Sequence, residues 1–389
     1  MSVVVSYKKQ FTFFLLLFII TLIIIEISVR TIDIFEISCF GIKSPLFDNY
    51  TTLEKRIMCD EYNSIEYDYT TPFRMLIPNQ EGNYVHINSD GFRGDEINFD
   101  DNYKIFFLGG STGFGIVSSS DETTIPGFIQ KKINEDKLDA IIINAATPEA
   151  ATVDQLYILK EKILKFNPDM IIMYEGWNDV MLVDSLKFNL SYEEYLKNNY
   201  WENKEILSLD FQNKPLIKII NSNIIFLLHR IDYKTGIGII TFLGNQVKSN
   251  LDISHEKFSP TILAKIEDNI SKNWSKVCEL GEKHGFQTVN IIQPILGTSD
   301  RVLHFDEKII LSIETGNFGE SALQYVKNLN IKDKLQYCKN VFDLRNTLTE
   351  MNEELIYFDR AHMNDIGNKI IAEKIYEKVL PLVMKDMQK

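Results

Sequence analysis

Three side chains of this sequence are of the types that acyl transfer requires: Ser111, Asp359 and His362. Ser111 follows an apolar run, Ile105 to Leu108, and two glycines. A buried strand that ends in glycines can present a hydroxyl at the carboxyl edge of a parallel sheet. A serine hydroxyl needs a base to remove its proton, and a carboxylate usually orients that base. The segment that contains Asp359 and His362 supplies both groups, so we predict Ser111 as a nucleophile.

The stretch Lys104–Gly115 has an alternative interpretation, a phosphate-binding loop or an ordinary strand-to-helix turn. No lysine follows as a phosphate-binding loop requires, and the GxGxxG spacing is absent. This stretch alone supports the two interpretations equally. The downstream Asp-x-x-His segment favours the interpretation of Ser111 as a nucleophile. The other histidines occur singly and are predicted to be surface or packing residues: His86, His229, His255, His284 and His304.

Four short blocks occur in the order typical of one enzyme superfamily. They are Ser111 with its glycines, the segment Asn144-Ala145-Ala146-Thr147-Pro148, the segment Gly176-Trp177-Asn178-Asp179, and Asp359–His362. With these blocks the chain resembles the SGNH hydrolases, the GDSL-type esterases and lipases. The segment Asn88–Gly94 resembles one that precedes the first block in membrane-anchored, extracytoplasmic members.

The resemblance implies a site as well as a fold. It implies a catalytic triad of Ser111, His362 and Asp359, and an oxyanion hole from the N–H groups of Ser111 and Ala146 and the side-chain amide of Asn178. Gly110, Gly176 and Trp177 are expected to line the site, with no metal and no cofactor. Two residues depart from the family pattern: Gly110 replaces an aspartate, and Ala146 replaces a glycine. The added methyl group of Ala146 is expected to narrow the acyl pocket.

The implied activity is that of a serine esterase, a carboxylic ester hydrolase. The expected substrate is an acyl ester, with O-acetyl groups of an extracytoplasmic glycan as the leading guess and long-chain lipid esters still open. An O-acetyltransferase that uses the same triad is one alternative. A non-catalytic, cell-surface glycan-binding or assembly protein is another, because a fold does not fix a function.

The amino-terminal region is predicted to anchor the protein in a membrane. Phe11 to Ile25 is almost wholly apolar, and with the residues to Val29 it approaches the length that spans a bilayer. Lys8 and Lys9 precede it, which predicts a cytoplasmic amino terminus and an extracytoplasmic catalytic domain. A cleaved signal peptide is the main alternative, but no Ala-x-Ala-like site follows Ile25.

Composition and charge narrow the function classes. The 389 residues carry a net charge of −13, which argues against binding nucleic acid through its phosphates. There are four cysteines. Outside the cytoplasm Cys39 and Cys59 could form a disulfide, whereas Cys278 and Cys338 were expected to sit apart. Four buried free thiols are the alternative. No metal-ligand spacing of Cys and His residues occurs.

The order of apolar and helical patterns predicts a three-layer α/β/α fold with about five parallel strands in a flavodoxin-like sheet. The predicted strands are 105–108, 140–144, 170–174, 288–293 and 341–344, and the predicted helices are 123–133, 154–166, 259–284 and 369–384. The predicted regions are an anchor at 1–30, a juxtamembrane region at 31–103 that packs on the core, and a hydrolase domain at 104–384 with an insertion at about 182–260. Arg93 is expected to pair with Asp95 or Glu96, although it could bind an anionic substrate group.

Overall fold

The computed structural model describes residues 6–35, 44–68, 73–98, 102–181, 258–314 and 317–388. The chain forms two compact units, one of Met1–Cys39 and Ser208–Ile253, the other of Phe40–Leu207 and Ser254–Lys389. Almost all of the predicted insertion and the predicted disulfide partner Cys39 lie outside the described residues. In the first unit the structure describes helix α1 (Tyr7–Phe35). Its segment Tyr7–Ile25 is long and apolar enough to cross a membrane, and the side chains of that segment are exposed.

The second unit contains a parallel sheet of five strands. The strands are β1 (Tyr103–Gly109), β2 (Ala140–Asn144), β3 (Met170–Glu175), β4 (Gln287–Ile292) and β5 (Asn340–Asp343). Their order across the sheet is β2-β1-β3-β4-β5, which is the flavodoxin-like order. The predicted fold class is therefore confirmed, and each predicted strand overlaps an observed one.

Helices follow or separate the strands. They are α2 (Thr52–Asn63), α3 (Ser111–Phe114), α4 (Ile125–Glu135), α5 (Thr152–Ile158), α6 (Asn178–Met181), α7 (Pro260–His284), α8 (Phe305–Glu314), α9 (Asn317–Asn328) and α10 (Asp365–Met387). The helix predicted over 154–166 is broken into α5, a π-helical turn at Leu159–Ile163 and a 3-10 turn at Leu164–Phe166. Side-chain caps mark the starts of two helices, α10 and α4. The side chain of Asn364 accepts from Gly367 N at the start of α10, and Thr124 accepts from Gly127 N at the start of α4.

The sheet is covered by helices on both faces because its strands are apolar on both faces. Ile105 and Phe107 of β1 pack in one buried cluster with residues of α4 and α10. Phe106 and Leu108 alternate with them and pack in a second cluster with α5 and α7. This arrangement holds the carboxyl ends of β1, β2 and β3 in fixed register, and the predicted site blocks follow those ends.

The segment before β1 packs on the core. Ile87 pairs antiparallel with Arg93, and Arg93 pairs with Asn144 at the end of β2. The prediction that Arg93 pairs with Asp95 or Glu96 was wrong. Its guanidinium is buried and binds Asp121, with Nε and Oδ1 2.6 Å apart, whereas Glu96 accepts from Ser89. His86 also contacts Asp121, with Nδ1 and Oδ2 2.7 Å apart.

The cysteines are bonded rather than free. Cys278 of α7 and Cys338 form a disulfide across a sequence separation of 60 residues, so the expectation that they sit apart was wrong. Cys59 is also disulfide-bonded. The alternative of buried free thiols is therefore wrong for the described cysteines. No sequence pattern indicates the Cys278–Cys338 pairing, because α7 and the loop before β5 meet only in the folded chain.

Candidate active site

Ser111 lies at the turn between β1 and α3. Gly109 ends the strand, Gly110 precedes the serine in extended conformation, and Ser111 opens the short helix. The neighbouring Thr112 donates its hydroxyl to Gln293 Oε1 at 2.6 Å, which ties the turn to the end of β4. The half-buried Ser111 hydroxyl is thus held at the carboxyl edge of the sheet.

His362 and Asp359 lie in the loop before α10, and this loop meets the Ser111 turn. His362 Nε2 is 2.7 Å from Ser111 Oγ, and His362 Nδ1 is 2.7 Å from Asp359 Oδ2. The second carboxylate oxygen of Asp359 accepts the backbone N–H groups of Ala361 and His362, both at 2.7 Å. The carboxylate therefore fixes the loop and the imidazole together. With Nδ1–H donating to Asp359, Nε2 is the acceptor for the serine proton.

Asn178 lies at the start of α6, after β3. One hydrogen of its Nδ2 is donated to Ala150 O at 2.9 Å, which orients the amide. A Cβ added at Gly110 would overlap Asn178 Nδ2, so the glycine makes room for this amide. That overlap gives a physical reason for a glycine at position 110.

Ala146 follows β2 beside the same turn. Its N–H donates to Asn144 Oδ1 at 3.2 Å, and the residue is completely buried. Its methyl group faces Gly113 inside the core cluster of that face of the sheet. The methyl group is therefore packed in the core, and the expectation that it narrows an acyl pocket stays a prediction. The role of the Ala146 N–H in an oxyanion hole stays a prediction.

A buried carboxyl group, Glu175, anchors the segment that contains Asn178. Its Oε1 accepts the N–H groups of Gly176, Trp177 and Asn178 at 3.2, 3.3 and 3.0 Å. Burial, with a further contribution from the negative charge of Asp179, raises the pKa of Glu175 to about 8. Gly176 has φ of 138°, a conformation that favours glycine. Trp177 is half-buried and packs on the core cluster beside α5 and α7.

Arg93 holds the far end of the turn that begins at Ser111. Its NH1 donates to Phe114 O at 2.9 Å and to Gly115 O at 2.7 Å. Asn144 Nδ2 donates to Phe114 O as well, at 3.1 Å. Sequence reasoning assigned Arg93 to other carboxylates and assigned no role to the Asn144 side chain. The only signal in the sequence was the position of both residues within segments that resemble family blocks.

An aromatic pair supports the histidine. The ring of Phe358 stacks on His362 with centroids 5.7 Å apart and an interplanar angle of 11°. Phe47, from the segment before α2, packs edge-on against Phe358 at 5.6 Å. Sequence reasoning missed Glu175, Phe358 and Phe47, because each acts through packing or backbone contacts that no motif records. In the part of the chain that the structure describes, no three His, Cys, Asp or Glu side chains are grouped as metal ligands.

Comparison with known proteins gives no match to a family model or to a curated protein. Solved structures do match the chain trace. An acetyl xylan esterase, AlAXEase, is 16% identical with a TM-score of 0.38, covering 71% of this chain and 99% of that chain. The lipase/acylhydrolase from Enterococcus faecalis is 14% identical with a TM-score of 0.37, covering 71% and 94%. Axe2, an acetylxylan esterase from Geobacillus stearothermophilus, is 11% identical with a TM-score of 0.36, covering 73% and 96%.

Proposed function

We propose that this protein is a serine esterase of the SGNH type, with Ser111 as nucleophile, His362 as general base and Asp359 as the group that orients it. The observation that carries the proposal is the continuous chain of contacts from Ser111 Oγ to His362 Nε2 and from His362 Nδ1 to Asp359 Oδ2, each 2.7 Å long. The serine and histidine are separated by 251 residues in the sequence, so the fold alone brings them together.

The proposed reaction is two-step acyl transfer. His362 Nε2 takes the Ser111 proton while Oγ attacks the ester carbonyl carbon, and the tetrahedral intermediate then expels the alcohol, which receives that proton. Water, deprotonated by His362, attacks the acyl-enzyme and releases the carboxylic acid and Ser111. Asp359 keeps the imidazole in the tautomer that both steps use and stabilises the imidazolium.

The developing oxyanion is proposed to bind the backbone N–H of Ser111 and the second hydrogen of Asn178 Nδ2, since Ala150 takes only the first. The N–H of Ala146 is the third proposed donor. It would have to share its hydrogen with Asn144 Oδ1, which lies 3.2 Å away. Removing a single such donor costs about 3 kcal/mol of transition-state stabilisation in other acyl-transfer enzymes.

We further propose a location outside the cytoplasm, with the amino terminus inside and one membrane span at Tyr7–Ile25. The apolar helix and its preceding lysines support this topology. The Cys278–Cys338 disulfide supports it independently, because disulfides persist in oxidising compartments. The proposed substrate is an O-acetyl ester of an extracytoplasmic glycan, which follows from that location and from the family resemblance.

The test is hydrolysis of 4-nitrophenyl acetate by the wild-type protein, Ser111→Ala and His362→Ala. We expect each variant to lose at least about 10³-fold in kcat, because the nucleophile and its base act as one unit. Ser64→Ala and His284→Ala are matched controls at exposed positions and should keep wild-type rates. Folded wild-type protein with no turnover above the Ser111→Ala background would reject the esterase. If added acceptor glycan lowered acetate release and gained acetyl groups, the transferase alternative would replace it.

A further inference from the structure

Glu175, the last residue of β3, is almost completely buried, with 1% of its surface exposed. Three consecutive backbone N–H groups converge on one of its oxygens, and the last of them belongs to Asn178. These N–H groups precede or begin the short helix α6, where backbone N–H groups have no partner within the helix. The carboxyl group therefore fixes the backbone from which the Asn178 amide projects.

The second oxygen of Glu175 makes an unusual contact. Gln155 Nε2 lies 2.6 Å from Glu175 Oε2, which is short for an N–H donor and ordinary for an O–H donor. Gln155 Oε1 is buried and has no hydrogen-bond partner among the described residues. The two ends of a glutamine amide are distinguished only by their hydrogen bonds. Exchanging them places Oε1 against Glu175, where a 2.6 Å contact suits an O–H donor, provided that the Glu175 oxygen carries a proton. The amide nitrogen then takes the buried position that Oε1 occupied.

We propose that Glu175 is a positioning residue that works as a neutral acid: its protonated oxygen donates to Gln155 Oε1, and its other oxygen holds the backbone of Asn178. The inference rests on the proposed function, in which Asn178 donates to the oxyanion. It adds a residue that touches no substrate and controls the geometry of one that does.

The electrostatic surroundings support a neutral carboxyl group. Burial raises its pKa to about 8, and the charge of Asp179 contributes in the same direction. Asp179 accepts from Thr152 N at 3.0 Å and from Thr152 Oγ1 at 2.6 Å, so its own charge is stabilised locally. The preceding strand residue, Tyr174, has its pKa raised well above the usual value by burial, with further contributions from Tyr357 and from Glu175. No described cation is among the groups that act on Glu175.

Ionisation of Glu175 has a consequence for catalysis. It would place a negative charge next to the segment that binds the oxyanion, and the transition state would be destabilised by repulsion in a low-dielectric site. It would also replace the O–H donor with a second acceptor facing Gln155 Oε1. The esterase rate should therefore fall on the alkaline side as Glu175 loses its proton.

The test compares the full-length wild-type protein with Glu175→Gln, Glu175→Ala and the control Glu267→Gln. Glu267, on α7, is also a buried carboxylate that accepts a backbone N–H, from Asn330 at 2.7 Å. It also pairs with Lys334, so Glu267→Gln serves as a control for the pH profile of activity and not for unfolding. Rates of acetate release from 4-nitrophenyl acetate are measured from pH 5 to 10, with kcat and KM separated. Thermal unfolding over the same pH range gives a second readout that needs no activity.

The amide introduced by Glu175→Gln can accept the three N–H groups and donate to Gln155 Oε1, as the neutral acid does. We expect its kcat to stay within about threefold of wild type at pH 7 and to lose the alkaline fall. Glu175→Ala should lower kcat by about 10²-fold with little change in KM, because ground-state binding does not use the oxyanion donors. Glu267→Gln should keep the wild-type pH profile.

Equal losses in Glu175→Gln and Glu175→Ala would overturn the proposal, because they would mean that the negative charge is needed. An alkaline fall that persists unchanged in Glu175→Gln would overturn it as well. If the wild type is no more active than Ser111→Ala, the proposed esterase activity is rejected. The pH dependence of thermal unfolding then tests whether Glu175 is protonated. An identical pH dependence of unfolding in wild type and Glu175→Gln would show that the carboxyl group does not titrate as proposed.

Discussion

Replacing Gly110 with alanine should displace the side-chain amide of Asn178, the proposed oxyanion donor, without disturbing the fold. The backbone there has φ −86° and ψ −154°, an extended conformation open to any residue. The added methyl group would overlap Asn178 Nδ2 and lie 3.3 Å from the backbone oxygen of Ala150. The backbone oxygen cannot move cheaply, so the Asn178 amide must shift by about 1 Å, a displacement that can cost about 10²-fold in rate.

We therefore expect Gly110→Ala to lower kcat for 4-nitrophenyl acetate by about 10²- to 10³-fold, with KM little changed. Gly110→Asp adds the same Cβ and should behave in the same way. A double-mutant cycle with Asn178→Ala isolates the cause, since two changes that act through one group are not additive. Once Asn178 is an alanine, Gly110→Ala should change kcat by less than about threefold. Wild-type activity in Gly110→Ala, or an equal loss in both backgrounds, would refute the reasoning.

Three further predictions concern stability. Arg93→Lys should lower the free energy of unfolding in urea by about 3–5 kcal/mol. A lysine cannot reach both Asp121 and the carbonyls of Phe114 and Gly115, so a buried charge is left poorly paired. An unchanged urea midpoint would contradict this. Replacing both Cys278 and Cys338 with serine should cost about 2–5 kcal/mol by the same measurement, and added reductant should then have less effect than it has on wild type. The raised pKa of Glu175 means that the folded protein binds this proton more tightly than the unfolded chain, in which the pKa has its ordinary value of 4.5. The free energy of unfolding should therefore fall as pH rises from about 4.5 towards 8, and the contribution of Glu175 should level off above that range. This fall reaches about 1.4 kcal/mol per pH unit and should be missing in Glu175→Gln, as calorimetry at several pH values can check.

The sheet was predictable because each strand is a local apolar run that ends at a turn signal. Ile105–Leu108 and its glycines alone indicate a buried strand and a sharp turn, and Asn167-Pro168 marks the end of the helical region before β3. The positions of Ser111 and Asn178 after strand-like runs followed from the same signals, and that of His362 from the helical run after it, whereas the roles of these residues followed from the resemblance. These features depend on a few neighbouring residues, so no knowledge of the folded chain was needed.

Partners of buried charges could not be predicted in the same way. Arg93 has acidic neighbours in the sequence at Asp95 and Glu96, yet its partner is Asp121, which the fold brings close. The neighbouring carboxylates are solvated or accept other hydrogen bonds, and an exposed pair with either would contribute little. A buried guanidinium is satisfied only by acceptors that surround it in three dimensions. Sequence proximity therefore identified the wrong carboxylate for a physical reason.

Glu175 is the residue of the candidate site that the sequence pattern predicts least well. A buried acid beside a second acid, Asp179, is unfavourable by itself, and an apolar residue would continue the pattern of β3. The three N–H groups of the segment that follows would then lose their acceptor, and Asn178 would lose the support for its position. A neutral carboxyl group meets both demands, because it accepts on one oxygen without burying a charge. The residue that breaks the apolar pattern of the strand is thus the one that holds the backbone of the proposed oxyanion donor, and a leucine at this position should leave the protein less active.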